Sequence, residues 1–202
     1  MQALIFWWLH NQAFYSTLQQ QAIEPLQKNG QNKSWADVGC STGLLSRLGA
    51  KLNYEVIGYD LDSLSLKIAS LLSFRYSNLK YKQQDIHTLD NTFDVITATS
   101  LLSVVPHKKA SLDKLLSLLK DTNANLIIIE PTSKLTRKNV WKKIHDLKSF
   151  WFYKGLLLWS KARENKAIDN NIFSDLKDVR VEQKYFLDDM VCITYIQKLS
   201  TK

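Results

Sequence analysis

Between Ser34 and Pro131 the chain alternates short apolar runs with helical patterns: "WADV", "LLSRLGAKL", "YEVIGYD", "SLSLKIASLLSFR", "LKYKQQD", "FDVITATS", "ASLDKLLSLLK" and "ANLIIIEP". Strands separated by helices cannot pair as tight hairpins, so the pattern predicts an α/β fold with a mainly parallel sheet covered on both faces. The run "LIIIE" is apolar without alternation, as a strand buried on both faces requires. Asp62 and Ser63 stand where an N-cap would satisfy the free amides of the next helix, and Ser111 does the same before "LDKLLSLLK". The tail "VRVEQKYFLDDMVCITYIQK" carries two alternating runs separated by "LDD", which predicts an antiparallel hairpin at one sheet edge.

A chain of 202 residues suits one domain with a full core. It divides into a helical cap (1–30), the alternating core (34–131), a helical insertion (132–172) and C-terminal strands (173–202). Residues 3 to 28 lack glycine and have Pro25 as their only proline, so a helix that buries Trp7, Trp8, Phe14, Tyr15, Leu18 and Ile23 is expected there. The apolar opening has no preceding basic residue and is too short to span a bilayer, so neither a leader nor an anchor is expected. Cys40 and Cys192 lie far apart, with no CxxC and no nearby His, which suggests neither zinc nor a disulfide framework and points to the reducing cytoplasm.

The turn "WADVGCSTGLL" after the first strand lets a backbone approach a ligand, and in an open α/β sheet that is where ligands bind. A phosphate loop needs GxxxxGK[ST], which the turn lacks. A dinucleotide turn needs a third glycine, and Asp37, two residues before Gly39, would repel a pyrophosphate. The same acid favours a cation. A ligand with an amine or sulfonium on one side and a ribose on the other fits.

These residues resemble the first motif of class I S-adenosylmethionine-dependent methyltransferases, an acid and an apolar residue followed by GxGxG. The resemblance extends to "VIGYDLD" with Asp60 at a strand end, and to "QQDI" with Asp85 and Ile86 before "FDVIT". It covers about residues 34 to 131 and is nearest to the small-molecule branch that includes quinone-biosynthesis enzymes. It implies a Rossmann-like, doubly wound, seven-stranded sheet and S-adenosylmethionine as cofactor, leaving S-adenosylhomocysteine. Ser41 departs from the pattern at the second glycine, and a positive φ there would make the departure costly.

By that resemblance Asp37 receives the methionyl amine, Gly39 and Gly43 give the cofactor room, and Cys40 and Ser41 complete the loop. Asp60 takes the ribose hydroxyls, since one carboxylate offers two oxygens to two donors. Leu61 packs on the adenine, Asp85 accepts its amino group, and the Ile86 backbone meets the ring edge. Thr99 and Ser100 border the methionine end, with Tyr15 of the first helix less directly implicated. Each has a plainer reading: a tight turn for the glycines, a loop acid for Asp85, helix capping for Thr99 and Ser100, a small spacer rather than a nucleophile for Cys40. His107, after "LLSVVP", is the candidate base, against a solvated loop histidine; His10, His87 and His145 have less to recommend them. Glu130 ends the fifth strand, where it could border substrate, cap or pair with a lysine. Methyl transfer asks chiefly for alignment and exclusion of water, so no metal is expected.

The net charge of +8 is concentrated between residues 132 and 163, where nine basic residues face Asp146 alone; the remaining 18 basic and 18 acidic residues balance. This segment interleaves Trp141, Phe150, Trp151, Phe152, Tyr153 and Trp159 with lysines. Three readings compete for it: a lid packed on the domain, a peripheral contact with anionic membrane through 134–163, and nucleic-acid binding. "LLLW" and the scarcity of arginine count against nucleic acid, as does "TATSLL" where an amino-directed enzyme would carry an Asn/Asp-Pro-Pro-aromatic run. The expected activity is methyl transfer to a small lipophilic molecule. The alternatives are a nucleic-acid methyltransferase and a noncatalytic cofactor-binding protein at the membrane periphery.

Overall fold

In the computed structural model, which describes residues 7–26, 30–148 and 150–199, the alternating segment folds as its pattern predicts. Helix α1 (Ala13–Ile23) leads into β1 (Ser34–Val38), α2 (Leu44–Lys51), β2 (Glu55–Asp60), α3 (Ser63–Leu72), β3 (Leu79–Gln83), β4 (Val95–Thr99), α4 (Lys108–Ser117) and β5 (Asn125–Pro131). Helices α5 (Arg137–Leu147) and α6 (Phe150–Arg163) follow, then the hairpin β6 (Val179–Phe186) and β7 (Val191–Lys198). Of the expected N-terminal cap, residues 1–6 and 27–29 lie outside the described residues, as do the side chains of Trp151 and Phe152 in the basic segment.

The strands form one sheet in the order β3-β2-β1-β4-β5-β7-β6. β1 to β5 pair in parallel, and β7 runs antiparallel to both β5 and β6. The order reverses between β2-β1 and β4, which opens a crevice at the carboxyl ends of those strands. One apolar core packs α1, α2, α5 and α6 against the sheet through Phe14, Leu18, Trp35, Leu45, Val140 and Trp159. The other packs α4 against the opposite face through Ile96, Leu112, Leu115, Leu126 and Ile128. Parallel strands buried on both faces read as unbroken apolar runs, and β5 is buried from Leu126 to Pro131.

Local signals set the helix starts. Asp62 caps α3 by accepting from the amides of Leu64 and Ser65 at 3.2 Å each, and Thr136 caps α5 through Asn139. Ser111 is an exception: it lies inside α4, after an N-cap at His107 whose side chain makes no capping bond. Lys148, in the left-handed region with φ 49°, ends α5 and separates it from α6. Gly155 does not weaken α6, which runs unbroken across it. A Cβ there would lie 2.8 Å from Gln12 Cγ and 3.0 Å from Phe14 Cε1, so the glycine lets α6 approach the N-terminal segment.

Candidate functional site

The crevice at the strand-order reversal holds a cavity of about 540 Å³, lined from β1, β2 and β4 and covered by α1 and α6. That volume lies within the range of about 300–1,000 Å³ common for ligand pockets. Asp37 ends β1 on its wall, 2% exposed. Its Oδ2 accepts from Ser46 Oγ at 2.6 Å and its Oδ1 from Thr97 Oγ1 at 2.9 Å. Burial raises its pKa to about 6 despite those bonds.

Behind Asp37 the loop turns on two left-handed glycines, Gly39 at φ 71° and Gly43 at φ 73°. Gly39 lines the cavity. Gly43 does not, and a Cβ there would overlap the Tyr81 hydroxyl, so this glycine makes room for Tyr81 rather than opening the cavity. Ser41 sits between them at φ 47°, the costly conformation for a serine. Its amide donates to Asp60 Oδ2 at 2.7 Å, and its hydroxyl is buried with no hydrogen-bond partner among the described residues. Cys40 is buried beside it, and burial near Asp37 and Asp60 pushes its thiol well up, away from nucleophilic chemistry.

Asp60 ends β2 on the cavity wall, its Oδ1 accepting from the Asp62 amide at 2.9 Å. Each of its oxygens therefore has one backbone donor and keeps a second lone pair for a ligand. Leu61 projects beside it, exposed. Asp85 and Ile86 line the same end, Asp85 accepting from the His87 amide at 2.8 Å and Ile86 buried. Thr99, the last residue of β4, and Ser100 beyond it line the cavity with Tyr15; Ser100 carries φ 53°. His107 lies exposed at the rim. Of the residues to which the resemblance gives a cofactor role, together with His107, all but Gly43 thus border one cavity, whereas Glu130 does not line it. Glu130 stands behind that wall, accepting from the Leu102 amide at 2.7 Å, and burial raises its pKa to about 7.

The cover adds residues that the sequence did not single out for the site. His10 Nδ1 lies 2.7 Å from Thr42 Oγ1 in the glycine loop, and its ring stacks on Tyr15 at 4.9 Å. Burial lowers its pKa to about 3, so the imidazole is neutral. Gln19 is buried in the cavity wall, with Oε1 accepting from Thr99 Oγ1 at 3.4 Å and its side chain against the Tyr15 hydroxyl. Trp159 of α6 packs edge-on to Tyr15 and donates to Ser100 Oγ at 3.3 Å, and Arg163 lines the cavity one turn later. A detectable signal did exist for Gln19: it sits four residues after Tyr15, among the inward-facing Phe14, Tyr15, Leu18 and Ala22 of α1. A buried amide there needs a partner.

The basic segment serves as part of this cover. Leu156 and Trp159 are buried, Lys134 and Lys143 pair with Asp189 and Asp188 of the β6–β7 turn at 2.8 and 2.7 Å, and Trp141 stacks on Phe150 at the surface. Among the described residues no helix is long and apolar enough to cross a membrane, and no His, Cys, Asp and Glu cluster could hold a metal ion.

A family model described as a methyltransferase domain matches residues 8–166. The ubiquinone biosynthesis O-methyltransferase of Colwellia psychrerythraea is 28% identical over 178 residues, covering 79% of this chain and 70% of that protein. Its counterpart from Albidiferax ferrireducens is 37% identical over 76 residues, covering 35% of this chain and 30% of that protein. The match thus spans about a third of the length of several such relatives. The fold is similar to that of magnesium protoporphyrin IX methyltransferase from Synechocystis, solved with S-adenosylhomocysteine, with a TM-score of 0.63 at 18% identity over 94% of this chain and 84% of that one.

Proposed function

Because the chain belongs to the methyltransferase-domain family, we propose that it is an S-adenosylmethionine-dependent enzyme that methylates a small, lipophilic molecule. The observation that carries the reading is the pair of carboxylates, Asp37 and Asp60, set on either side of a left-handed glycine loop at the strand-order reversal, on one covered cavity. The buried Ser41 hydroxyl on that cavity, which has no hydrogen-bond partner among the described residues, fits a polar ligand.

Bound there, the cofactor would supply a methyl group already activated by the sulfonium charge. Asp37 would hold the methionyl ammonium directly or through water, and Asp60 would accept the ribose hydroxyls on its spare lone pairs. Leu61 and Ile86 would flank the adenine, with Asp85 accepting its amino group. Leu101, Val105, Pro106 and Trp159 give the cavity an apolar wall, which excludes water and suits a lipophilic acceptor. His107, exposed at the rim, is the residue placed to take a proton from an acidic acceptor. The ubiquinone-biosynthesis relatives support this substrate class. The surface stack of Trp141 on Phe150, beside Lys138 and Lys142, supports a second reading of 134–163 as a peripheral contact with anionic membrane.

Titration with S-adenosylhomocysteine tests the function. Binding is expected, and Asp60→Ala should weaken it by about tenfold or more, the effect of losing hydrogen bonds to a charged group. No binding at millimolar ligand, or an unchanged affinity in Asp60→Ala, would sink the proposal.

A further inference from the structure

Helix α3 turns Ser65, Leu66 and Ala69 inward and leaves an apolar stripe on its outer side. Leu64, Ile68 and Leu71 follow one another at spacings of four and three residues, which aligns them along one face of the helix, and exposed Leu61 precedes its N-cap. Leu71 is 74% exposed, and Phe74, just beyond the helix, is 77% exposed. A solvent-facing helix side normally carries charge instead, and a continuous apolar stripe marks a docking surface. Between Ser63 and Gln84 there is no acidic residue, while Lys67, Arg75, Lys80 and Lys82 are all exposed.

Geometry joins these residues into one surface. A groove of about 410 Å³ between the end of α3 and β3 is lined by Phe74, Lys80 and Lys82, and Arg75 sits 5.2 Å above the Phe74 ring. The acids of the flanking elements are Glu55 and Asp60 at the two ends of β2, Asp62, whose carboxylate caps α3, and Asp85 after β3, whose carboxylate accepts from the His87 amide. β3 is an edge strand, and lysines on such a strand oppose pairing with a second copy of the same chain. Around Leu71 and Phe74, at the far end of α3 from Asp60 and Asp62, the exposed charges between residues 63 and 84 are all cationic, and apolar side chains set among cations complement a bilayer with anionic headgroups.

We propose that α3 and the α3–β3 groove form a docking surface for anionic membrane, with Leu64, Leu71 and Phe74 entering the acyl boundary and Lys67, Arg75, Lys80 and Lys82 on the headgroup phosphates. This surface is separate from the 134–163 segment and does not depend on the identity of the cofactor. Leu61, just before the N-cap of α3, lies on the wall of the candidate cofactor cavity, so docking would hold that cavity close to the lipid phase.

The test is co-sedimentation of the full chain with vesicles of phosphatidylglycerol and phosphatidylcholine in equal amounts, and with phosphatidylcholine alone. Binding is expected only to the anionic vesicles, and it should fall as salt rises. The double substitution Leu71→Glu/Phe74→Glu should lower it by about tenfold, and by more than Trp141→Glu does. A circular dichroism melt of the variant, matched to the parent, shows that the fold persists, and S-adenosylhomocysteine affinity, read separately, reports the proposed function by itself. The proposal is overturned if anionic vesicles do not bind the chain, or if a folded Leu71→Glu/Phe74→Glu variant binds them as well as the parent. It is equally overturned if Trp141→Glu alone abolishes binding, or if the double variant instead dissolves a dimer seen by sedimentation equilibrium.

Discussion

At the scale of single residues, the role proposed for Asp37 would link the fold to a ligand through one proton. With its pKa raised to about 6 from 3.8, the folded state holds this proton more tightly than the unfolded chain does. The stability associated with Asp37 is therefore fully present below about pH 4 and is lost as pH rises through about 6, since the raised pKa favours the neutral acid. An ammonium ligand has the opposite demand, because it needs the carboxylate. We expect S-adenosylhomocysteine affinity to fall by up to about tenfold per pH unit below about pH 6, measured by calorimetry, and Asp37→Asn to bind weakly with that dependence removed. Ser41 is the second informative residue. In the left-handed region, with a buried hydroxyl that has no partner among the described residues, it costs the unliganded loop on the order of 1 kcal/mol. Ser41→Gly should accordingly raise the melting temperature of the unliganded protein. If the hydroxyl meets the ligand, the same variant should bind S-adenosylhomocysteine a few-fold more weakly, and a gain in both quantities would show that it does not.

At the scale of elements, the strands and the acids at their ends were legible because their signals are local. An unbroken apolar run reports a buried parallel strand, and Asp37, Asp60 and Asp85 stand within two residues of the carboxyl ends of their strands. The cover was less legible, because it depends on contacts between distant segments. His10, Gln19, Trp159 and Arg163 reach the cavity only once α1 and α6 pack over the sheet, and nothing in their immediate neighbourhoods fixes that packing. The same cause explains the contrast between Gly155 and Lys148. A glycine ordinarily weakens a helix, yet Gly155 sits inside α6 because another segment presses against it, whereas the boundary falls at Lys148, a residue type that rarely adopts a left-handed conformation. Filling the contact at Gly155 should separate the two covering elements. Gly155→Leu is expected to destabilise the protein by about 1–3 kcal/mol through overpacking, visible in thermal denaturation. It should also weaken S-adenosylhomocysteine binding, since Tyr15 and Trp159 meet at 5.4 Å on the cavity wall beneath that contact.

At the scale of the whole molecule, the sheet separates two apolar cores, and the cavity is the place where their residues meet. Leu45 and Trp159 come to its wall from one core, Ile86 and Leu101 from the other. Asp37 is tied across the sheet to Thr97 of β4 and onward through Trp35 Nε1, which donates to the same Thr97 hydroxyl at 2.9 Å. A ligand in the cavity therefore contacts α1, the ends of β1, β2 and β4, and α6 at once, and binding to the folded state alone must stabilise all of them together. At a concentration one hundred times its dissociation constant, a ligand adds about 2.7 kcal/mol to the folded state. For a chain of 202 residues each kilocalorie shifts the midpoint by about 2–4 °C. Saturating S-adenosylhomocysteine should thus raise the melting temperature by about 5–10 °C in a single transition. Asp60→Ala should show little of that shift at the same ligand concentration, because the carboxylate between the two halves of the crevice is gone. A split transition, with one part insensitive to the ligand, would mean that the covering helices fold independently of the sheet they close.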